Sequence, residues 1–455
     1  MRILISGGTI VNAAESIQSD ILIENQKITQ IGTDLDSTGA TVIDARGKYV
    51  FPGFIDTHTH LDLVAGGVPT ADDFPTGTRA AVLGGTTTVL DFATQERGMT
   101  MVEAMEEWKE KARHASCNYG FHMAVSEWNP ERAGELDRMV EEGITSFKMY
   151  MVYSNMRVSD GDIYAALQET GKRDCLIGVH CENDDILQKR ICELHEAGRY
   201  DMAAHSEARP AQVEAEAVAR LMRTAQLANA PVYVVHLSTE EGLKEALRAR
   251  ERGQEVYLET CPQYLVQTEA RYLEPDAEKY IMSPPLRKES DQNALWEAIA
   301  QGEIDFIGTD HCSFTMEQKA LGGGDFAKTP NGGAGIQNRA ELVYTYGVKT
   351  GKITVNQMVD QLSAKAARIF GMPNKGEIRV GADGDIVVFD PEASGVISHK
   401  TNAHNCDNSA FEGIETFGRA TDVLVNGQIA VRDGRLVQEG LGRYVHRGTM
   451  ERTRR

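Results

Sequence analysis

Two hydrophobic patterns divide the chain into a middle part and two ends. From about residue 52 to residue 371, short apolar runs alternate with stretches whose apolar residues recur every three or four positions, as in strands alternating with amphipathic helices. The predicted strands are 53–58, 86–92, 119–125, 146–151, 176–181, 232–237, 256–261 and 305–310, and helices such as 101–113, 211–228 and 243–252 lie between them. Eight such units predict a (β/α)8 TIM barrel.

The two ends of the chain are rich in short β-prone runs separated by turn residues. These runs are 2–6, 21–24, 28–32 and 41–44 at one end, and 385–390, 421–427 and 430–432 at the other. They predict a small β-sandwich domain built from both termini. The predicted division is therefore 1–52 with 373–440 for this domain, 53–372 for the barrel, and an Arg-rich tail, 441–455, at the surface or a subunit contact.

Polar residues close the apolar runs of five predicted barrel strands. They are His58 and His60, then Lys148, His180, His236 and Asp310. Side chains alternate along a strand, so His58 and His60 share a face, although such a pair alone is also typical of ordinary strand-end histidines. Because parallel barrel strands all point one way, the six side chains are expected to meet at one rim and form a metal site. An open doubly wound sheet is the alternative fold, but it would not bring these strand ends together.

Lys148 is the unusual member of this set. Strand parity places it in the barrel interior, where a protonated amine facing two divalent ions would be strongly repelled. Burial and positive neighbours favour the neutral amine, which can react with carbon dioxide to give an anionic carbamate with one oxygen for each ion. The alternative is a lysine that extends out of the barrel mouth to solvent.

Composition limits the partners and the compartment. The formal net charge of -20 argues against nucleic acid and anionic membranes as partners. Seven scattered cysteines without a CxxC pair suit a reducing compartment. The start lacks the features of a signal peptide, and no apolar run reaches about 18 residues. We expect a cytoplasmic protein.

Several motifs, in order, resemble one enzyme family. They are GFIDTHTH at 53–60, FK at 147–148, VHCEN at 179–183, VHLS at 235–238, ETCPQYL at 259–265, SPPLR at 283–287, TDHC at 309–312 and PNGG at 330–333. Over nearly its whole length the chain resembles the cyclic amidohydrolases, within them the hydantoinase and dihydropyrimidinase branch. The resemblance implies a barrel with a β-sandwich, two divalent ions (usually Zn²⁺, with Mn²⁺ or Co²⁺ possible), a carboxylated lysine, and a homotetramer or homodimer.

The resemblance also implies roles for individual residues. His58, His60 and Asp310 would hold one ion, His180 and His236 the other, and carboxylated Lys148 would bridge them. Tyr153 would polarise the scissile carbonyl, and the backbone at Ser283 and Asn331 would bind the ring amide. Asp310 would also carry the proton from the attacking water to the departing ring nitrogen.

The implied activity opens the ring of 5-substituted hydantoins or dihydropyrimidines to give N-carbamoyl amino acids. Leu63, Tyr150, Val152 and Arg157 are the expected wall of the substrate site. Dihydroorotases place an arginine shortly after the His-x-His pair, whereas Asp62 here would repel a substrate carboxylate. Allantoinase, a cyclic ureide hydrolase, is one alternative. A non-catalytic dihydropyrimidinase-like scaffold is another, which the complete set of six ligand positions disfavours.

Several neighbours of the ligand positions are expected to support the site. His122, His311, Cys181 and Cys312 are interpreted as packing or supporting groups, and Glu182 as support for the loop after the fifth strand. Asp56 is expected either to be a core hydrogen-bonding partner or to orient a ligand. The Gly-rich 322–324 and 330–335 lack the Lys-Ser/Thr of a phosphate loop, so they predict a mobile loop.

Overall fold

The computed structural model describes residues 2–450 of the 455-residue chain. Its strands are β1 (Arg2–Val11), β2 (Ser16–Glu24), β3 (Lys27–Gly32), β4 (Thr41–Asp44), β5 (Tyr49–Pro52), β6 (Phe54–Thr59), β7 (Val64–Ala65), β8 (Val68–Pro69), β9 (Thr86–Gln95), β10 (Asn118–Val125), β11 (Ser146–Tyr150), β12 (Leu176–His180), β13 (Val232–Val234), β14 (Val256–Thr260), β15 (Phe306–Ile307), β16 (Ile386–Val396), β17 (Glu415–Val425), β18 (Gln428–Arg432) and β19 (Arg435–Leu436).

The helices lie mostly between the strands of the middle part. They are α1 (Phe74–Leu83), α2 (Met101–Lys111), α3 (Pro130–Glu141), α4 (Asp160–Gly171), α5 (Asp184–Glu196), α6 (Ala204–Ala208), α7 (Ala211–Ala228), α8 (Glu240–Glu251), α9 (Pro262–Val266), α10 (Glu289–Ala300), α11 (Met316–Ala320), α12 (Arg339–Val343), α13 (Val355–Val359) and α14 (Lys365–Ile369). Short 3₁₀ turns lie at Ala112–His114, Glu269–Leu273 and Ala277–Tyr280, and π-helical turns at Tyr344–Val348 and Asp360–Ala364. None of the helices within 2–450 is long and apolar enough to cross a bilayer.

The predicted barrel is confirmed. Eight strands form one sheet in the order β15-β14-β13-β12-β11-β10-β9-β6, and every pairing in it is parallel. Each predicted strand is present, and most differ from the prediction by one residue at an end or extend beyond it. Two are shorter by three residues or more: β13 ends at Val234 and β15 covers only Phe306–Ile307.

Side chains hold the first and last barrel strands together. Asp56 on β6 accepts hydrogen bonds from Thr309 N at 3.0 Å and from Thr309 Oγ1 at 2.7 Å. Buried Arg339, from α12, donates to the carbonyl oxygens of Ile55 at 2.8 Å and Ile307 at 3.0 Å. Of the two roles expected for Asp56, these contacts support that of a core hydrogen-bonding partner, which joins β6 to the residues that follow β15.

The terminal strands form a second sheet, as predicted. Its order is β19-β18-β17-β16-β5-β1-β2-β3, with β4 paired to β1. Alternate residues face different cores: Val50 and Val388 lie in an apolar cluster within this sheet, whereas Phe51 and Phe389 pack into the core of the barrel. Because the two units share this apolar contact, the division at residues 52 and 373 stays a prediction.

The C-terminal segment, predicted to lie at the surface or at a subunit contact, is packed on the barrel. Residues 441–450 run across the end of the barrel opposite the strand C-termini, where Tyr119 N donates to Arg443 O at 3.0 Å. Arg447 is only 1% exposed and donates to Ser146 Oγ at 2.9 Å. The segment is thus packed against the barrel as far as residue 450, and the rest of the predicted tail lies outside the described residues.

We expect Arg339→Met to destabilise the fold, because it removes the donors that bridge β6 and β15. Leaving the two buried carbonyl oxygens unpaired should lower the free energy of unfolding by about 2 to 4 kcal/mol. Urea unfolding followed by fluorescence measures this change. Arg368→Met, at an exposed position of α14, is the control and should stay within about 0.5 kcal/mol of the wild type. An Arg339→Met protein as stable as this control would contradict the role of Arg339 in closing the barrel.

Candidate metal centre

Four histidines and one aspartate meet at the C-terminal rim of the barrel. His58 and His60 lie on β6 and its end, and their Nε2 atoms are 3.1 Å and 3.2 Å from Oδ1 of Asp310. His236 follows β13, with its ring centroid 5.4 Å from that of His58 and 4.4 Å from that of His180. The expected convergence of these side chains is therefore what the structure shows.

The backbone at two of these positions is unusual. His236 has φ of 38° and Asp310 has φ of 53°, in the left-handed region that residues other than glycine seldom adopt. These turns follow β13 and β15 and set the directions of the two side chains at the rim. Such conformations persist only where the surroundings enforce them, and they concentrate at functional sites.

Two buried glutamates fix the orientation of the histidine rings. Glu259 Oε1 lies 2.6 Å from His58 Nδ1, while its Oε2 accepts from Thr57 Oγ1 at 2.8 Å. Glu182 Oε2 lies 2.7 Å from His180 Nε2 and also accepts from buried Arg209 at 2.6 Å. A carboxylate on one ring nitrogen leaves the other nitrogen of each histidine to bind a cation.

The roles of these two glutamates were missed by sequence reasoning. Glu259 lies inside an apolar strand, and Glu182 follows His180 by two residues. A carboxylate in an otherwise apolar run was the available signal, because a buried carboxylate needs a partner. Glu182 was interpreted as support for the loop after the fifth strand. The structure shows that it also contacts the candidate ligand His180 directly.

Lys148 lies on β11 inside the rim and is 1% exposed. Its Nζ is 4.8 Å from the ring centroid of Phe92 and 5.2 Å from that of Tyr150, and within 2–450 no carboxylate forms a salt bridge with it. Burial lowers the pKa of Lys148 to about 8, which brings the neutral amine within reach near neutral pH. Lys148 therefore does not extend to solvent.

The donor atoms at the rim fit a divalent cation. Ligand atoms of His58, His236 and Asp310 all lie within 4.8 Å of one another. His236 Nδ1 is buried and has no hydrogen-bond partner among the described residues, and the buried His58 Nε2 lies 3.1 Å from the Asp310 carboxylate. Burial lowers the pKa of His60 to about 4 and also lowers that of His236, so both rings are neutral. Neutral imidazoles beside a carboxylate are the ligands that Zn²⁺ prefers.

A cavity of about 920 Å³ opens above this centre. Its walls include Tyr153, Ser283 and Asn331, together with Leu63 and Tyr150. Ser283 Oγ donates to Asn331 Oδ1 at 2.7 Å. The Tyr153 ring centroid is 5.3 Å from that of His180, and burial raises the pKa of this phenol, which therefore stays a hydrogen-bond donor. The candidate substrate-binding residues and the candidate ligands thus share one cavity.

Two residues expected in the substrate wall lie elsewhere. Val152 is 1% exposed and packs in an apolar cluster with Leu187, away from the cavity. The Arg157 guanidinium turns to α5, where it donates to Asp184 at 3.2 Å and to Asp185 at 2.7 Å. The chain turns sharply at Tyr153, which has φ of 70°, so regular strand alternation did not predict these directions. Neither Val152 nor Arg157 is among the residues that line the cavity of this structure.

The neighbouring histidines have structural partners. His122 Nδ1 lies 2.6 Å from Ser146 Oγ, and its Nε2 lies 3.1 Å from Thr57 O. His311 Nε2 lies 3.1 Å from Asp72, and its Nδ1 accepts from Gly335 N at 3.1 Å. Both nitrogens of each ring are occupied, in agreement with the interpretation of these residues as supporting groups.

Known proteins resemble this chain over nearly its whole length. The model of the amidohydrolase family matches residues 49–430. A D-hydantoinase of Geobacillus stearothermophilus is 44% identical over 455 residues, covering 98% of this chain and 97% of that protein. A D-hydantoinase of Streptomyces coelicolor is 42% identical and covers 99% of both.

The agreement extends to three dimensions. The crystal structure of dihydropyrimidinase from Brevibacillus agri NCHU1002 has a TM-score of 0.98 and 43% identity, covering 99% of this chain and 100% of that one. Both matches agree with the motifs at the barrel rim. The chain belongs to the amidohydrolase family, and within it to the cyclic amidohydrolases of the hydantoinase and dihydropyrimidinase branch.

Proposed function

We propose that the protein hydrolyses the cyclic amide bond of 5-substituted hydantoins or dihydropyrimidines and releases N-carbamoyl amino acids. One observation carries the proposal: the candidate ligands and the candidate ring-binding residues face the same cavity at the C-terminal rim of the barrel. The names of the related hydantoinases support the same substrate class. No observation favours an allantoinase or a non-catalytic scaffold.

The proposal includes a binuclear metal centre. His58, His60 and Asp310 would hold one divalent ion, and His180 and His236 the other. Lys148, carboxylated at Nζ, would contribute one oxygen to each ion. The histidine nitrogens and the carboxylate oxygens, together with the buried and unpaired His236 Nδ1, favour Zn²⁺, with Mn²⁺ or Co²⁺ as substitutes.

Each residue of the cavity has its own role in ring opening. When bound, divalent ions polarise the ring carbonyl and lower the pKa of water from about 16 to about 7. Asp310 has Oδ1 turned to His58 and His60, and its Oδ2 accepts the proton of the attacking water and passes it to the departing ring nitrogen. The Tyr153 hydroxyl donates to the developing oxyanion. The backbone at Ser283 and Asn331 holds the ring amide in place.

The compartment and the assembly complete the proposal. All seven cysteines are free, and six of them are buried, which suits a reducing cytoplasm. The net charge of -20 argues against nucleic acid and anionic membranes as partners, so a small cyclic amide is the expected binding partner. The relatedness to hydantoinases supports a homotetramer or a homodimer.

Asp310→Asn should nearly abolish turnover, because the amide cannot accept and pass on the proton. We expect kcat to fall by about 10² to 10⁴-fold when it is calculated for the protein that holds both ions. Steady-state kinetics with metal analysis of the same sample tests this. Asp137→Asn, at an exposed carboxylate paired with Arg173, is the control. Near-normal turnover of Asp310→Asn with both ions present would show that the proton carrier is misassigned.

Lys148→Ala should lose the bridging group and therefore at least one of the two ions, together with activity. Metal analysis after dialysis measures this loss, and a metal-loaded crystal of the wild type should show density for a carbamate beyond Nζ. Lys172→Ala, an exposed residue paired with Glu169, should keep both ions. The carbamate proposal is refuted by bare amine density at full metal occupancy, or by an active Lys148→Ala protein with two ions.

The cavity wall predicts the preferred ring substituent. Leu63, Val64, Tyr150 and Met156 line the space above the centre and offer mainly apolar surface. A 5-aryl or 5-alkyl hydantoin should therefore have a kcat/KM about 10 to 100-fold above that of allantoin, whose substituent is polar. A substrate-panel assay measures the ratio. The reverse ranking would contradict this assignment of the wall.

A further inference from the structure

Lys319, on α11, is a buried lysine whose partners are all backbone carbonyl groups. It is 1% exposed, and its Nζ donates to Ile281 O at 2.7 Å, Pro330 O at 2.6 Å and Gly332 O at 2.7 Å. No carboxylate within the described residues forms a salt bridge with it. An ammonium has three N–H donors, so these carbonyl oxygens satisfy all of them.

The three carbonyl groups belong to two separate segments of the chain. Ile281 lies two residues before Ser283, and Pro330 and Gly332 flank Asn331. Lys319 therefore joins the two segments that carry the proposed ring-binding positions, which lie 48 residues apart in sequence. The Lys319 side chain thus contacts both segments from behind the cavity wall.

Other contacts show that the junction of these two segments, 281–283 and 330–333, is closely packed. Gly332 N donates to Ile281 O at 3.0 Å, and Cys312 N donates to Gly333 O at 3.1 Å. Gly332 has φ of 145°, and a Cβ atom there would lie 2.3 Å from the carbonyl oxygen of Cys312. Residues 330–333, predicted as part of a mobile loop, are thus held against the strand-end segment and packed around Lys319.

The chemistry of the site favours a structural cation over a reactive amine. Burial lowers the pKa of Lys319 to about 7, whereas hydrogen bonds to three carbonyl oxygens favour the protonated form. The Nζ lies 5.5 Å from the ring centroid of Phe314, and the side chain does not line the cavity. Lys319 cannot contact a substrate directly, so any effect on the reaction passes through the backbone that it holds.

We propose that Lys319 is a positioning residue for substrate binding, which sets the distance between the backbone groups at Ser283 and Asn331 that hold the ring amide. This inference rests on the proposed function, because those two positions are the proposed ring-binding groups. A small displacement of such groups weakens binding of the ring without changing the ligands of the metal centre.

The test replaces Lys319 by Met, which keeps a similar length but removes all three donors. With a 5-aryl hydantoin we expect KM to rise about tenfold and kcat to change less than about threefold. Metal content should equal that of the wild type. Hydrogen exchange measured by mass spectrometry should become faster in peptides covering 279–284 and 329–334.

Lys365 offers a control at the opposite end of the barrel. It is 9% exposed, donates to the carbonyl oxygens of Gly302 at 3.4 Å and Ile304 at 3.1 Å, and also lies 3.5 Å from the carboxylate of Asp360. Lys365→Met also removes a buried amine from backbone carbonyl groups and should lower the melting temperature while leaving KM unchanged. If Lys319→Met does not yield folded protein, Lys319→Gln, which keeps two donors, should show a smaller rise in KM.

The outcomes separate this inference from the proposed function. A Lys319→Met protein with lowered melting temperature but wild-type KM and wild-type exchange at 329–334 would show that Lys319 only stabilises the fold, and would overturn the inference. If the wild type hydrolyses neither hydantoins nor dihydropyrimidines, the proposed function fails. In that case hydrogen exchange alone tests the role of Lys319. Unchanged exchange of both peptides in Lys319→Met would show that Lys319 does not hold the two segments together.

Discussion

The contact between the first and last barrel strands is the constraint on which the metal centre depends. His58 belongs to β6 and Asp310 follows β15, so their 3.1 Å approach exists only when the barrel is closed. Because β15 is too short for an extended ladder, side chains help to close the barrel: Asp56 accepts from Thr309, and Arg339 donates to two carbonyl groups. One backbone hydrogen bond, from His60 N to His311 O at 2.8 Å, joins the same strand ends. The rim is thereby assembled from strands more than 240 residues apart in sequence.

Buried charge is the second organising feature. Glu259 and Glu182 are fully buried carboxylates, and the side chain of Asp310 is 14% exposed at the cavity. The pKa of each is held below its usual value by neighbouring histidine or arginine groups that outweigh burial. A buried anion is costly unless it is paired. Arg209 offsets Glu182, and the negative charges of Glu259 and Asp310 outweigh burial and raise the pKa of His58, whereas burial lowers the pKa values of His60 and His236. Each of these carboxylates therefore has a histidine or arginine partner at the rim.

The cavity wall depends on loop geometry more than on the strands. Tyr153, His236 and Asp310 all have positive φ, so each side chain leaves the direction that strand alternation would give it. The segments at 281–283 and 330–333 add the opposite wall, and a lysine behind them holds their carbonyl groups together. The site thus combines histidines on regular strands with polar groups on turns that are fixed from behind.

The sequence by itself determined the barrel, the sheet from both termini and the six residues that meet at the rim, because the periods of strands and helices and the common direction of parallel strands are local properties. It did not determine the directions of Val152 and Arg157, the packing of residues 441–450, or the contacts of Glu259 and Lys319. Each of these depends on atoms distant in sequence: Glu259 meets His58 across 201 residues, and Lys319 meets Ile281 across 38. A local pattern states which residues are buried, whereas the partner that a buried polar group finds is decided only when the tertiary structure brings the two together.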